Sequence, residues 1–211
     1  MKKIYTILLR LCLHFSNFLY KLISFLAIKS EGGEHPKHRL LQYHNFFLSN
    51  IQEKDTVLDI GCGSGSLAYD LAGKAQRVLG IDIEEKNIEG AKKKYSRDNI
   101  TYVVGDATKD LTDEKFDVIV LSNVLEHIEH REDFLKGIKG IAETYLIRVP
   151  MFTRDWIPLY KKELGIEWRL DLTHYTEFTK ESFYQEIERA GYTVESFSVQ
   201  FGEIWAVVKP Q

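Results

Sequence analysis

Thr56-Val57-Leu58-Asp59-Ile60-Gly61-Cys62-Gly63-Ser64-Gly65-Ser66 is the stretch that decides the fold. Its apolar run has strand character and ends in a glycine-rich turn, and residues 66–73 follow at once as a helix. A buried parallel strand that feeds a helix through glycines builds a ligand cradle at the carboxyl end of a sheet. The glycines permit backbone angles that a Cβ forbids. They also let a ligand approach the main chain, where the next helix offers unpaired N–H groups. The dinucleotide fingerprint G-x-G-x-x-G is not met, because its sixth position, read from Gly61, is Ser66. No G-x-x-x-x-G-K-[ST] occurs, so the loop is not a P-loop.

Working outward, residues 77–82 form a second strand ending in Asp82. That acid falls about 20 residues past the glycine loop, where strand–helix–strand units place a ribose-binding carboxylate. Ile83 is then set to lie against an adenine face. A helix N-cap is the other reading of Asp82. A helix over 84–95, a strand over 100–107 ending in Gly105-Asp106-Ala107, and an apolar strand from Phe116 into the turn Ser122-Asn123-Val124-Leu125-Glu126-His127 continue the alternation. A helix over 133–142, a strand over 143–149 and a helix over 179–190 complete it. Residues 192–200 and 203–209 read as an antiparallel pair around Phe201-Gly202. The fold class is α/β, a doubly wound sheet, mostly parallel, with a C-terminal antiparallel hairpin strand.

With 211 residues the chain suits one domain large enough to bury its own core. A net charge of -3 argues against a general nucleic-acid binder. The two cysteines, Cys12 and Cys62, make no disulfide framework, and no Cys/His spacing matches a zinc site. A reducing, cytoplasmic setting is the simplest reading, and no residue is assigned to a metal.

In Leu58-Asp59-Ile60-Gly61-Cys62-Gly63-Ser64-Gly65 the chain resembles the class I S-adenosylmethionine-dependent methyltransferases, and the likeness extends over about residues 40–209. The resemblance implies a Rossmann-like domain over residues 30–211. Its cofactor is S-adenosylmethionine and its product S-adenosylhomocysteine. It implies cofactor contacts from Asp59, Gly61, Cys62, Gly63, Gly65, Asp82 and Ile83. It further implies that Asp106 accepts from the adenine amino group, that the Ala107 N–H helps read the ring, and that Ser122 and Asn123 face the methionine part. The Leu125-Glu126-His127 turn is similar to that of many small-molecule methyltransferases, and Asp171-Leu172-Thr173-His174-Tyr175 to a His-Tyr segment of glycan and metabolite methyltransferases. His127 and His174 are therefore the candidate general bases. The same likeness implies that a helix over 38–51 covers the pocket, which brings His35, His38, Arg39, Gln42, Tyr43 and His44 under suspicion. The aromatic-rich residues 151–175 are placed to form a lid. The implied reaction is methyl transfer, to oxygen, on a small-molecule or glycan-like acceptor. A nicotinamide-dependent oxidoreductase and a non-catalytic cofactor-binding scaffold are the rival readings.

Residues 1–29 stand apart. Thr6, Arg10, His14, Asn17, Lys21 and Ser24 recur at steps of three or four, one polar stripe on a helix that is otherwise Leu- and Phe-rich. Such a helix lies peripherally in a membrane interface or packs on protein.

Overall fold

The computed structural model describes residues 1–33, 35–109 and 114–211. A 29-residue helix, α1 (Lys2–Ser30), leads into two short helices, α2 (Lys37–Leu41) and α3 (His44–Ser49). The α/β core then runs β1 (Thr56–Ile60), α4 (Ser66–Ala72), β2 (Arg77–Asp82), α5 (Glu85–Lys94), β3 (Ile100–Val104) and β4 (Phe116–Ser122). A 3-10 turn (Leu125–His127), α6 (Arg131–Ile138), β5 (Ala142–Pro150), α7 (Trp156–Glu163), α8 (Lys180–Arg189), β6 (Tyr192–Gln200) and β7 (Glu203–Pro210) follow.

The strands form one sheet in the order β3-β2-β1-β4-β5-β7-β6. Pairings from β3 through β5 are parallel, whereas β7 runs antiparallel to both β5 and β6. The sheet is thus Rossmann-like, closed at one edge by the antiparallel pair read from the sequence. Successive residues of β1 serve opposite layers: Val57 joins Phe47, Leu71 and Trp205, while Leu58 joins Phe134, Tyr145 and Phe183. A strand buried on both faces reads as a continuous apolar run, which is why this one was legible. The chain leaves β1 toward β2 on one side and β4 lies on the other, so the switch point of the sheet falls at the ends of β1 and β4.

Three boundaries differ from the sequence reading. The helix expected over 38–51 is broken at Gln42, whose φ of 48° is left-handed. The break turns Tyr43 inward, where it is buried, its hydroxyl 2.6 Å from His38 Nδ1 and its ring 3.8 Å from the Arg148 guanidinium. The helix expected over 133–142 stops at Ile138, because Gly140 reverses the chain at φ 82° and frees Ala142 to pair with Phe116. The third strand ends at Val104, before the Gly105-Asp106-Ala107 turn.

The N-terminal helix docks by its polar stripe. Arg10 Nη1 donates to the Leu164 carbonyl at 2.8 Å, Asn17 Nδ2 to the Glu167 carbonyl at 2.8 Å, and Lys161 Nζ to Asn17 Oδ1 at 2.5 Å. Ser24 Oγ lies 3.1 Å from His35 Nε2. Leu11, Phe15, Phe18, Ile23 and Phe25 are left exposed on the far side. The helix is long and apolar enough to cross a membrane by length and composition alone.

Candidate active site

A cleft of about 740 Å³ opens at the carboxyl ends of β1, β4 and β5. The glycine loop forms one wall. Gly61, Gly63 and Gly65 have φ of 69°, 54° and 85°, the left-handed region that side chains disfavour. A Cβ on Gly61 would meet Val124 at 2.8 Å, whereas one on Gly63 would enter open space. The Gly61 and Cys62 N–H groups donate to the Ile81 carbonyl, and the Gly63 N–H donates to Asp82 Oδ2 at 2.8 Å. Asp82 Oδ1 accepts from the Glu84 N–H at 2.9 Å and from Asn87 Nδ2 at 3.0 Å. Asp82 therefore clamps the glycine loop to the start of α5. Oδ2, which accepts one N–H, keeps a second lone pair for a further donor.

Asp59 is buried at the end of β1, and its Oδ2 has no hydrogen-bond partner. Burial and then the neighbouring Asp82 push its carboxyl up to about 8. An acid left unsatisfied beside an open glycine cradle fits a ligand that brings a cation and hydrogen-bond donors. S-adenosylmethionine, with its ammonium, sulfonium and ribose hydroxyls, has that donor set.

The fold gathers Asp59, Gly61, Cys62, Gly63, Ser122, Asn123, His127 and His174 along this cleft. Gly65, Asp82, Ile83, Asp106 and Ala107 lie outside its lining. Gly65 caps α4, and Ile83 is solvent-exposed. Asp106 accepts from the Thr108 N–H at 3.0 Å, from Thr108 Oγ1 at 2.6 Å and from Lys109 Nζ at 2.7 Å, which brings its carboxyl down to about 2. Burial pushes the Cys62 thiol well up, so it is no nucleophile.

Opposite the glycine loop stands an acid–imidazole group. Asn123, at φ 58°, donates from Nδ2 to Glu126 Oε1 at 2.7 Å. Glu126 is fully buried, Oε2 has no partner, and burial pushes the carboxyl up to about 7. The Tyr175 N–H donates to the Glu126 carbonyl at 2.8 Å and ties the loop bearing His174 to this turn. The His127 and His174 rings consequently meet edge to face, 4.7 Å between centroids. Burial and then His174 hold the His127 imidazolium below its ordinary value of 6.5, so the ring is neutral at pH 7. His174 is itself buried, with Nδ1 3.1 Å from Glu177 Oε1; Arg154 pairs with the other Glu177 oxygen.

Comparison with known proteins bears on the family and the fold. Residues 58–143 match the family model described as "Methyltransferase domain". The chain carries a class I S-adenosylmethionine-dependent methyltransferase domain. It is 31% identical over 148 residues to ribosomal protein L11 methyltransferase of Dechloromonas aromatica, covering 64% of this chain and 48% of that protein. It is 28% identical over 126 residues to ubiquinone biosynthesis O-methyltransferase of Rickettsia conorii, covering 58% and 43% respectively. The chain thus spans less than half the length of these two relatives. In fold it is similar to magnesium protoporphyrin IX methyltransferase from Synechocystis PCC 6803 with bound S-adenosylhomocysteine. There the TM-score is 0.65 at 19% identity, over 83% of each chain. The family uses S-adenosylmethionine, and the nicotinamide reading falls away.

The methyltransferase domain also holds groups that sequence reasoning did not single out. Arg148 on β5 is buried and makes a bidentate pair with Glu203, 2.6 Å on each arm, while Nη1 stands 3.4 Å from Ser122 Oγ. Lys37 lines the cleft with His38, whose imidazolium is brought down to about 4 by burial and then by Lys37. Of the residues suspected ahead of β1, His35, His38 and Tyr43 line the cleft, Arg39 pairs with Glu31, and His44 contacts Asp70. Arg148 had a signal: a charge inside Leu146-Ile147-Arg148-Val149, an otherwise apolar strand. In the 151–175 segment, Arg154, Asp155, Leu170, Asp171 and His174 line the cleft, while Phe152 and Trp168 pack on each other as a small satellite core.

Proposed function

We propose that this chain is an S-adenosylmethionine-dependent methyltransferase that methylates an oxygen of a small-molecule or glycan-like acceptor. The observation that carries the reading is the unsatisfied Asp59 carboxyl beside the open Gly63 cradle, in one cleft with two imidazoles. The cofactor supplies an electrophilic methyl on a sulfonium. Asp59 holds the cationic end, Asp82 and the Gly61–Gly65 loop bind the ribose side, and Asp106 and Ala107 read the adenine. The protein's remaining task is to align the acceptor and to take up its proton. That proton is handled at the His127–His174 pair, because these are the two imidazoles that meet on the acceptor side of the cleft. The size of the cleft supports a small acceptor, since it falls among ordinary small-molecule sites. Residues 151–175 serve as a lid. The N-terminal helix rests its exposed Leu/Phe face on a lipid surface, a reading favoured because its polar stripe is already spent on the domain.

Calorimetry with S-adenosylhomocysteine, and NADH as the paired control, tests the cofactor assignment. Micromolar affinity for the former alone, about -8 kcal/mol, is the expected result. Absence of binding in the folded chain overturns it.

A further inference from the structure

We propose that Glu126, His127 and His174 form a binding site for one divalent transition-metal ion, zinc-like in its ligand preference, on the acceptor side of the cleft. One donor atom from each of the three lies within 4.8 Å of the others. The hydrogen bonds around them set which atoms are available. The Thr173 hydroxyl has a single proton and donates it to Asp171 Oδ1 at 2.8 Å, so it accepts from His127 Nδ1–H at 3.0 Å. The His174 Nδ1–H faces the Glu177 carboxylate, an acceptor held by Arg154. Both imidazoles are thereby fixed as the tautomer with a lone pair on Nε2. Glu126, the third member, carries an oxygen, Oε2, that is buried and without a partner. One nitrogen of each ring and one Glu126 carboxylate oxygen lie close together, and no described residue donates to Glu126 Oε2.

An ion resolves that arrangement. Ligands around zinc at about 2.0–2.2 Å stand about 3–3.5 Å apart, so loading draws the three inward by about an ångström. Two imidazoles and one carboxylate suit zinc, iron or cobalt rather than magnesium or calcium, which favour oxygen donors. The outer partners are those of built metal sites: a carboxylate and a hydroxyl orient the two rings. Three protein ligands leave a position open, the form of catalytic rather than structural sites. The site departs from the sequence-level expectation that no residue serves a metal, and its use rests on the methyltransferase reading above. With the ion bound, His127 and His174 serve as its ligands in place of the base role given above, and an acceptor hydroxyl on the ion gives its proton to water. Its oxygen then forms the new O–C bond as the C–S bond breaks, with the electron pair going to sulfur.

The test is zinc titration of the full chain against a chromophoric chelator, with cobalt substitution read by its visible absorption. One ion per chain is expected. The exposed His127→Ala and the conservative Glu126→Gln should each weaken zinc binding, and Glu177→Gln should weaken it by about 10–100-fold through the misoriented ring. Circular dichroism confirms that each variant is folded. No zinc binding at micromolar concentration overturns the proposal, as does zinc affinity unchanged in both His127→Ala and Glu126→Gln, which would place the ion elsewhere. S-adenosylhomocysteine calorimetry on the chelator-treated chain reports separately on the cofactor site, so that either reading fails without taking the other with it.

Discussion

Replacing Asp59 by Asn should flatten the pH dependence of both stability and cofactor binding. In the ligand-free fold the Asp59 carboxyl is raised from 3.8 to about 8 by burial and by Asp82. A raised acid holds its proton in the folded chain after the unfolded chain has released it. Stability from this group is therefore complete below pH 4, falls as pH rises, and stops falling above about pH 8. Between pH 5 and pH 8 the loss is about 4 kcal/mol, at about 1.4 kcal/mol for each pH step. Urea unfolding at the two pH values gives the difference directly. Wild type should lose about 4 kcal/mol more than Asp59→Asn, and other groups titrating in that interval cancel between the two proteins. Binding reports the opposite side of the same proton. With a carboxyl near 8, about nine-tenths of Asp59 is protonated at pH 7. Ionisation against the ligand's ammonium then releases about 0.9 proton per S-adenosylhomocysteine bound, read by calorimetry in buffers of different ionisation enthalpy. Affinity should rise about tenfold from pH 6 to pH 7 and level off above 8. Parallel stability curves for the two proteins, together with no proton release on binding, would refute the reasoning.

Asp82→Ala removes the acceptor of two backbone N–H groups and of Asn87, and should cost about 2–4 kcal/mol of stability in urea as well as weakening S-adenosylhomocysteine binding. Unchanged affinity in the folded variant would remove Asp82 from the site. Gly65→Ala places a Cβ 2.7 Å from the Ala91 Cβ and 2.8 Å from the Tyr102 hydroxyl at φ 85°, so the melting temperature should fall by several degrees, a cost of about 1–3 kcal/mol. A wild-type melting curve would contradict that crowding. Phe15→Asp combined with Phe18→Asp leaves the docked stripe of α1 untouched and should abolish flotation with anionic liposomes while secondary structure is retained. Flotation equal to wild type would remove α1 from any lipid contact.

The two glycine-loop acids differ in how they were legible. Asp59 and Asp82 sit at strand ends whose apolar runs and glycine spacing are local properties of the chain, and local order carries the doubly wound topology with them. The hairpin at Phe201-Gly202 was readable for the same reason. The Gly-Asp-Ala context places Asp106 at the end of a strand, but not the hydrogen bonds its carboxylate accepts from Thr108 and Lys109, which depend on the local turn.

What the sequence determined by itself was the alternation of buried strands and helices, the cradle at Gly61–Gly65 and the polar stripe of the N-terminal helix, all of which follow from periodicity over a few residues. Only the tertiary structure decided which face of α1 docks, because that depends on carbonyls of Leu164 and Glu167, far along the chain. It alone decided that Gln42 breaks a helix to bury Tyr43 against Arg148, and that Arg148 finds its partner in Glu203. The convergence of Glu126, His127 and His174 belongs there as well: a single backbone hydrogen bond from Tyr175 to the Glu126 carbonyl closes the loop and brings two rings together across 47 positions of sequence. Periodicity encodes which residues are buried, whereas the meeting of distant side chains is set by how the layers close on one another.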